Sequence, residues 1–540
     1  MLQIILHKIR VFYTERNRWW IPLGAGILYA LSLPPFNHHT HPLLFPFPFL
    51  SFFVFVPLFF FACGKSIKKA LFHSYLFGIS ASLAQFYWVA NVVAEGLWHL
   101  ILIGLGLMAL VVGLNYLIAG FLFRLIIKRF GTYSYLLFPS VWVAIEFCRS
   151  ITQIAFPWAL LGYSVAPVVP LAQLSSVVGV YGFSFIIMLG NMLAWRLIGE
   201  AAEGTVKKQS LAAPALFIAF IVIAGTGGRI RLLLARKSRE HIRTVLVQTN
   251  INQNQWGNRS LDTSFAIAET LTYKAARGDP GLIILPESAL LCYLLHRRPL
   301  KNRVHAWMDS VKTPMIIGTL DWKHAPENSC YRRYVYNTAL FLDTANKEFE
   351  TYYKIKLVPF SEAMPFENIL PVLSRVNLGE ADFQRGTEYT VFQVDKHCRA
   401  APFICYEIIF PGYVRRRIAK GATLLVNITN DGWFGKSSAP FQHAEMARMR
   451  CIENGIPLVR CANSGISMIV DQYGRVIRRK GLYERGLLES EAPLGHYPTI
   501  YTRLGDWPVV VSFLIILLGC GKLFPLYNKK RIARPPEHAE

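Results

Sequence analysis

The sequence predicts two architectures in one chain: a multi-pass α-helical membrane domain and an α/β domain held outside the membrane. Three observations predict it. Of 540 residues, 53% are hydrophobic and only 17% charged, too apolar for a water-soluble chain of this length and too charged for one buried in lipid throughout. Long apolar runs crowd residues 1–228 and return once near the C-terminus. Between 229 and 505, short β-branched runs alternate with helical stretches.

Each apolar run in the first part approaches the roughly 20 residues that span a bilayer as a helix. Seven lie near 19–35, 43–63, 71–92, 98–127, 134–148, 172–197 and 211–227, and an eighth runs from Trp507 to Phe524. The first also resembles a signal peptide, but no Ala-x-Ala site follows it. The connections alternate in charge. Lys8, Arg10, Arg16 and Arg18 precede the first run; the loops at 35–41 and around Glu95 lack Lys and Arg; Lys65, Lys68, Lys69, Arg124, Lys128 and Arg129 fill the intervening ones. Arg196, Lys207 and Lys208 follow the sixth run, and Lys529, Lys530, Arg531 and Arg534 follow the eighth. The positive-inside rule then puts both termini inside and 229–505 outside. Three regions follow: a membrane domain over 1–228, an outer domain over 229–505, and a last helix with a basic tail over 506–540.

The formal charge of +24 raises the question of nucleic acid, but much of the excess flanks apolar segments and no nucleic-acid motif is present. Nine cysteines without a CxxC pair argue against a zinc or thioredoxin-like site. No metal-ligand spacing and no phosphate-cradling glycine motif occurs, so no cofactor is implied.

The loop after the fifth run, residues 149–169, is unusually apolar for an outside loop, with Phe156, Trp158, Leu160, Leu161 and Tyr163. It is predicted to lie in the interface, either as an aromatic belt or as part of a lipid site. Glu146 and Arg149 stand three apart and are predicted to pair on one helix face. In the outer domain, strands are expected at 244–249, 282–286, 314–319, 337–342, 400–405, 422–427 and 457–460, with a hairpin around 471–474 and helices over 260–276, 301–311 and 442–454. This pattern predicts one large sheet system in a single domain.

Functional groups gather at the carboxyl ends of strands in such domains. Glu287 ends one apolar run, Lys354 follows another strand-like stretch, and Cys405 ends a third. Together they divide acyl transfer: a carboxylate takes the thiol proton, the thiolate attacks, and an ammonium favours the thiolate and then the oxyanion. Taken singly, each has a structural role open to it: a turn cap, a surface lysine, a packed core thiol.

The stretches Leu285-Pro-Glu287, Tyr352-Tyr-Lys-Ile-Lys-Leu-Val-Pro-Phe360 and Ile404-Cys-Tyr-Glu407 resemble the Glu, Lys and Cys motifs of the nitrilase, or carbon-nitrogen hydrolase, superfamily. Residues 156–163, 336–340, 430–435, 442–450 and 501–507 extend the resemblance over nearly the whole chain, to the apolipoprotein N-acyltransferase family. The resemblance implies an α-β-β-α sandwich on eight transmembrane helices, facing the periplasm from a bacterial inner membrane. It implies transfer of an acyl chain from a phospholipid donor, typically phosphatidylethanolamine, through a cysteine thioester to the α-amino group of a diacylglyceryl-cysteine on an apolipoprotein acceptor. Carried over by motif, Cys405 is the nucleophile, Glu287 the base and Lys354 the thiolate and oxyanion stabiliser. Glu362 and Glu407 support them, Tyr406, Trp433 and Phe434 shape the site and its lid, and Trp256, Arg149, Trp158 and Tyr163 belong to its substrate-facing side. Stretches 363–370 and 431–435 are candidate lids. The sequence departs from the family pattern at Ser361 and Ala155, where glycine is usual, and Trp256 falls one position early. Two other readings remain open, a membrane-anchored amidase or nitrilase that ends with water, and a non-catalytic lipid-binding scaffold or transporter.

Overall fold

The computed structural model describes residues 19–35, 47–63, 66–92, 98–236, 238–251, 258–327, 332–366, 369 and 383–532. Trp256, the basic N-terminal segment and residues 367, 368 and 370 of the first candidate lid lie outside the described residues.

The membrane half begins with helices α1 (Trp20–Leu31), α2 (Phe47–Leu50), α3 (Val56–Ala62), α4 (Ile67–Phe86), α5 (Trp98–Phe130) and α6 (Ser134–Cys148). It continues with α7 (Val169–Ala172), α8 (Ser175–Glu203) and α9 (Lys208–Leu233). Among the described residues, three helical stretches are long and apolar enough to cross a bilayer: 98–148, which joins α5 to α6 through a 3₁₀ turn, α8, and α9. Helix α9 leaves Leu216, Ile218, Val222 and Ile223 exposed, and α5 does the same with Ile103, Leu107 and Val111. Apolar surface of this extent belongs in lipid rather than water.

The run expected as one helix over 43–63 is broken into α2 and α3 by turns at 51–55. The break frees backbone groups in an apolar interior, and Asn191 of α8 satisfies them. It accepts from the Phe55 N–H at 2.9 Å and donates to the carbonyl oxygens of Ser51 at 2.7 Å and Ile187 at 2.9 Å. Asn191→Leu strands two buried backbone groups, so we expect a loss of about 2–5 kcal/mol in a detergent unfolding titration.

The outer domain carries two sheets, where the sequence pattern alone predicts one large sheet system. In the first, β1 (His241–Gln248), β2 (Leu282–Ile284), β4 (Met315–His324), β5 (Arg333–Asp343) and β6 (Glu348–Tyr353) follow β13 (Gly486–Pro493) in the order β13-β1-β2-β4-β5-β6, and β3 (Leu290–Tyr293) pairs with β4. The second runs β12 (Val476–Lys480), β11 (Ser467–Val470), β10 (Leu458–Ala462), β9 (Leu424–Thr429), β8 (Arg399–Ile404) and β7 (Phe392–Gln393). Strand alternation explains the stacking. Ala400, Ile404, Leu424, Val426 and Ile428 face Leu246, Ile284, Ile316 and Phe341 of the first sheet, while Ala401, Phe403 and Leu425 face outward. Helices α10 (Asn258–Ala276) and α11 (Arg298–Val311) cover the outer face of the first sheet through Phe265, Val304 and Trp307. Helices α12 (Pro411–Ile418) and α13 (Ala439–Asn454) cover that of the second. The layers are therefore α-β-β-α.

Helix α13 starts on Pro440 in its first turn and ends at Gly455, which takes φ 64°. Every residue of it except Phe441 is buried, although it carries six charged or titratable side chains. Its far side is the membrane half. Gln442 accepts from the Trp158 indole at 2.7 Å, Arg448 donates to the Ala166 carbonyl at 2.7 Å, and Arg450 donates to the Tyr163 hydroxyl at 3.1 Å. Glu453 accepts from the Val180 N–H at 2.9 Å. A short helix, α14 (Ile500–Leu504), and a long one, α15 (Trp507–Ile532), return the chain to the membrane half, with the Trp507 indole on the Val177 carbonyl at 2.7 Å.

Candidate active site

Strands β1, β2 and β4 are mutually parallel, as are β8, β9 and β10, so their carboxyl ends open on one edge of each sheet. Strand β6, antiparallel to β5, runs the same way as β4. Glu287 lies just past β2, Lys354 just past β6 and Cys405 just past β8. The Glu287 turn rests directly on β4 at Gly318, where a β-carbon would meet the Pro286 carbonyl oxygen at 2.4 Å and the Glu287 α-carbon at 2.5 Å. Only glycine permits that approach.

Lys354 is 1% exposed and donates to Glu362 at 2.7 Å and to Glu287 at 3.4 Å. Asn337 bridges the same two carboxylates, donating to Glu287 at 2.8 Å and to Glu362 at 3.2 Å, and its carbonyl accepts from the Lys354 N–H at 2.9 Å. The second Glu287 oxygen accepts from the Asn430 N–H at 2.9 Å, and the second Glu362 oxygen from the Val358 N–H at 2.9 Å. Burial raises the Glu287 carboxyl above its usual value and Glu362 adds to this, against the pull of Lys354. Burial by itself would discharge Lys354, but Glu362, Glu287 and the Cys405 thiol outweigh it and hold the ammonium well above the usual lysine range. Lys354 is thus a fixed cation and not a base.

Cys405 sits at φ 48°, in the left-handed region that a residue with a β-carbon rarely adopts. The backbone on either side of it is held. The Ile404 N–H donates to Glu407 at 2.8 Å, and the Cys405 carbonyl accepts from Asn427 at 3.4 Å and faces His443 Nε2 at 3.1 Å. Glu407 is itself buried and takes the N–H groups of Ile355 and Lys356 at 2.7 and 3.1 Å, as well as the Tyr352 and Tyr413 hydroxyls. One carboxylate therefore ties the Cys405 segment to the Lys354 segment. Burial pushes the thiol pKa up and the Glu287 charge pushes it further, while Lys354 and a hydrogen bond with Thr429 pull it down. Cys405, Cys398 and Cys451 are all free thiols.

Behind Cys405 stands a buried polar group to which sequence reasoning assigns no such role, Asp431 being placed in the candidate lid 431–435. Asp431 accepts from Arg460 at 2.7 Å and from Thr429 at 3.0 Å, and lies 3.0 Å from His443 Nδ1. Burial would raise Asp431, but Arg460 and His443 hold it down at about 2. The signal available was the polar run Asn430-Asp431 at the end of β9, beside a strand carrying an arginine.

Among the other predicted residues, Tyr406 is buried, donates to the Ala155 carbonyl and stacks near Phe156. Glu146 and Arg149 do not pair as expected. Glu146 accepts from the Leu161 N–H at 2.7 Å, and Arg149 donates to the Trp158 carbonyl at 3.1 Å, so both brace the 149–169 loop. Trp158 and Tyr163 are buried under the outer domain, Trp158 with its ring 5.4 Å from His443 and Tyr163 donating to the Ile409 carbonyl at 3.3 Å. Phe434 is half-buried and packs on Trp88 at 4.8 Å; Trp433 beside it is also half-buried. Phe360, with φ 66°, and Ser361 form an exposed turn, and the Glu362 N–H donates to the Val358 carbonyl at 2.9 Å.

The carbon-nitrogen hydrolase family matches residues 244–497, and the family described as apolipoprotein N-acyltransferase N-terminal domain matches residues 25–193. Full-length relatives agree. An apolipoprotein N-acyltransferase of Geobacter metallireducens is 32% identical over 510 residues, covering 93% of this chain and 95% of its own. One from Rickettsia prowazekii is 30% identical, covering 92% and 97%, and one from Bradyrhizobium diazoefficiens 31% identical, covering 93% and 94%. With both halves matched and relatives aligned end to end, this chain belongs to the apolipoprotein N-acyltransferase family.

Proposed function

We propose that the protein is an apolipoprotein N-acyltransferase that moves an acyl chain from a phospholipid to the N-terminal diacylglyceryl-cysteine of apolipoproteins. The observation that carries this reading is the buried cluster of Glu287, Lys354 and Glu362 beside the half-buried Cys405, seated where the α/β domain meets the membrane half. Glu287 takes the Cys405 proton and the thiolate attacks the donor ester carbonyl. The oxyanion of the tetrahedral intermediate faces the Lys354 ammonium. Collapse expels the lysophospholipid oxygen, which receives the proton from Glu287, and a thioester remains. The acceptor's neutral amine then attacks the thioester, Glu287 takes its proton, and the thiolate leaves. Phosphatidylethanolamine is the proposed donor.

The proposed topology places eight helical segments in a bacterial inner membrane, with both termini cytoplasmic and the α/β domain periplasmic. The alternating loop charges support it. The proposed domain bounds are 1–228, 229–505 and 506–540. Confinement of donor and acceptor to one leaflet raises their effective concentration at a site held just above it. A hydrolase would pass the thioester to water.

The test is acylation of the purified protein by phosphatidylethanolamine, followed by mass analysis of the Cys405 peptide. One acyl mass that transfers to a diacylglyceryl-cysteinyl peptide supports the reading, and release of free fatty acid alone assigns a hydrolase. The pH profile of single-turnover acylation follows from the site. The base form of Glu287 is the ionised one and its pKa is raised, so the rate falls about tenfold per unit as pH drops below a midpoint displaced above the usual 4.5. Loss of the Lys354 charge produces no alkaline fall below pH 10.5, because its pKa is raised well above that value.

A further inference from the structure

His443 is fully buried in helix α13, and its ring touches both the backbone of Cys405 and the membrane half. Nε2 stands 3.1 Å from the Cys405 carbonyl oxygen, and the Trp158 ring of the 149–169 loop lies 5.4 Å from the imidazole. A carbonyl oxygen can only accept, so Nε2 carries the hydrogen. The surroundings of the other nitrogen agree. Nδ1 is 3.1 Å from Arg460 Nη2 and 3.0 Å from Asp431 Oδ1. Burial and the Arg460 charge hold the imidazole below the ordinary histidine value, against the pull of Asp431, so the ring is neutral and its Nδ1 lone pair accepts from Arg460.

Arg460, also fully buried, fixes the rest of the group. It donates to Asp431 Oδ2 at 2.7 Å and to the Asn427 side-chain oxygen. Asn427 in turn gives its amide to the Phe403 carbonyl at 3.1 Å and reaches the Cys405 carbonyl only at 3.4 Å, which makes His443 the closer of the two donors. The carbonyl they hold belongs to the peptide that follows Cys405, and Cys405 sits at φ 48°, a conformation that persists only where its surroundings enforce it. A peptide free to flip lets this backbone relax toward negative φ. That swings the Cα–Cβ bond and takes Sγ out of line with Glu287 and Lys354.

We propose that His443 is a positioning residue for the thiol, a neutral Nε2–H donor that locks the Cys405–Tyr406 peptide and so sets the bearing of Sγ. Its part is geometric, and Glu287 remains the base. The proposal rests on the reading of Cys405 as the nucleophile of an acyltransferase.

The experiment uses the full-length protein in lipid nanodiscs and two variants that divide the ring between them. In His443→Gln the amide nitrogen falls near the place of Nε2, and in His443→Asn it falls near that of Nδ1. Single-turnover acylation by phosphatidylethanolamine is followed by intact mass over a range of donor mole fractions and pH, with thermal unfolding to count the folded fraction. His443→Asn lowers the saturating rate by about 10²-fold, the effect of a displacement near 1 Å, and leaves the half-saturating donor fraction unchanged. His443→Gln recovers most of that rate and keeps the shape of the wild-type pH profile. Equal losses in the two variants overturn the proposal, as do wild-type rates in His443→Asn once corrected for folded protein. A His443→Gln profile that loses a wild-type step also overturns it and assigns His443 to proton transfer. Iodoacetamide labelling of the Cys405 peptide needs no lipid donor and ranks the three proteins in the same order. A wild type that is labelled there but forms no acyl-enzyme refutes the acyltransferase reading, while the labelling rates still decide the positioning.

Discussion

Cys405→Ala forms no acyl-enzyme from phosphatidylethanolamine, and its turnover falls by on the order of 10⁴-fold or more. The thiol has no substitute in the site. Thr429 beside it is already bonded to Asp431, and every carboxylate oxygen nearby is committed to a backbone or side-chain donor. The variant keeps its fold, because the strained peptide is held by Glu407, Asn427 and His443 through backbone groups that alanine retains. Thermal unfolding of Cys405→Ala within about 1 kcal/mol of the wild type, together with lost acylation, separates chemistry from collapse. Acyl addition that persists at the wild-type rate in this variant removes Cys405 from the mechanism.

Lys354→Met is expected to damage stability and chemistry together. The ammonium is the cation between Glu287 and Glu362, and its removal leaves two buried carboxylates facing each other across Asn337. Breaking such a pair costs about 3–5 kcal/mol, and loss of the charge proposed to meet the oxyanion is expected to cost about 10²–10³ in acylation rate. The sign of the pH dependence follows. Without Lys354 the Glu287 carboxyl, already raised, rises further. A carboxyl raised in the folded state stabilises the fold while protonated and loses that contribution as pH climbs from its unfolded value through the folded one. Lys354→Met should therefore be closest to the wild type in acid and fall behind toward neutral pH in urea titrations. Adding Glu362→Gln recovers much of the stability and none of the rate. Equal destabilisation at every pH would contradict this account.

The proposed trio is legible in sequence because Glu287 and Cys405 end short apolar runs, Lys354 follows a strand-like stretch, and all three sit in motifs that resemble one family. The supporting residues are legible only in part. Glu362 and Glu407 come from motif, but the bridge that Asn337 makes between two carboxylates depends on β5 and β6 lying side by side, which no local pattern records. Asp431, His443 and Arg460 come from a turn, a helix and a strand, and their meeting behind Cys405 is a tertiary fact. The 149–169 loop reads correctly as apolar, but its aromatic side chains are placed by partners such as Gln442, 284 residues away. Strand β13 is missed for the same reason, and the division of the expected strands into two sheets comes from the resemblance and not from the pattern, since pairing between distant segments leaves no periodic trace. The 43–63 run misleads because hydropathy registers composition and not the break that Asn191 stabilises from another helix.

Strand β13 lies antiparallel to β1 from His241–Pro493 to Gln248–Gly486, so the chain leaves the α/β domain beside the point at which it entered. Few residues separate that edge from α9 on one side and from α14 and α15 on the other, and α13 is wedged beneath. The α/β domain is not a module on a leash that sweeps through solution. In the proposed topology its altitude over the lipid is set by the fold, and both proposed substrates reach it by lateral drift. The concentration that governs the proposed reaction is then a surface density, molecules per unit area of leaflet, which the volume of the surrounding water does not alter.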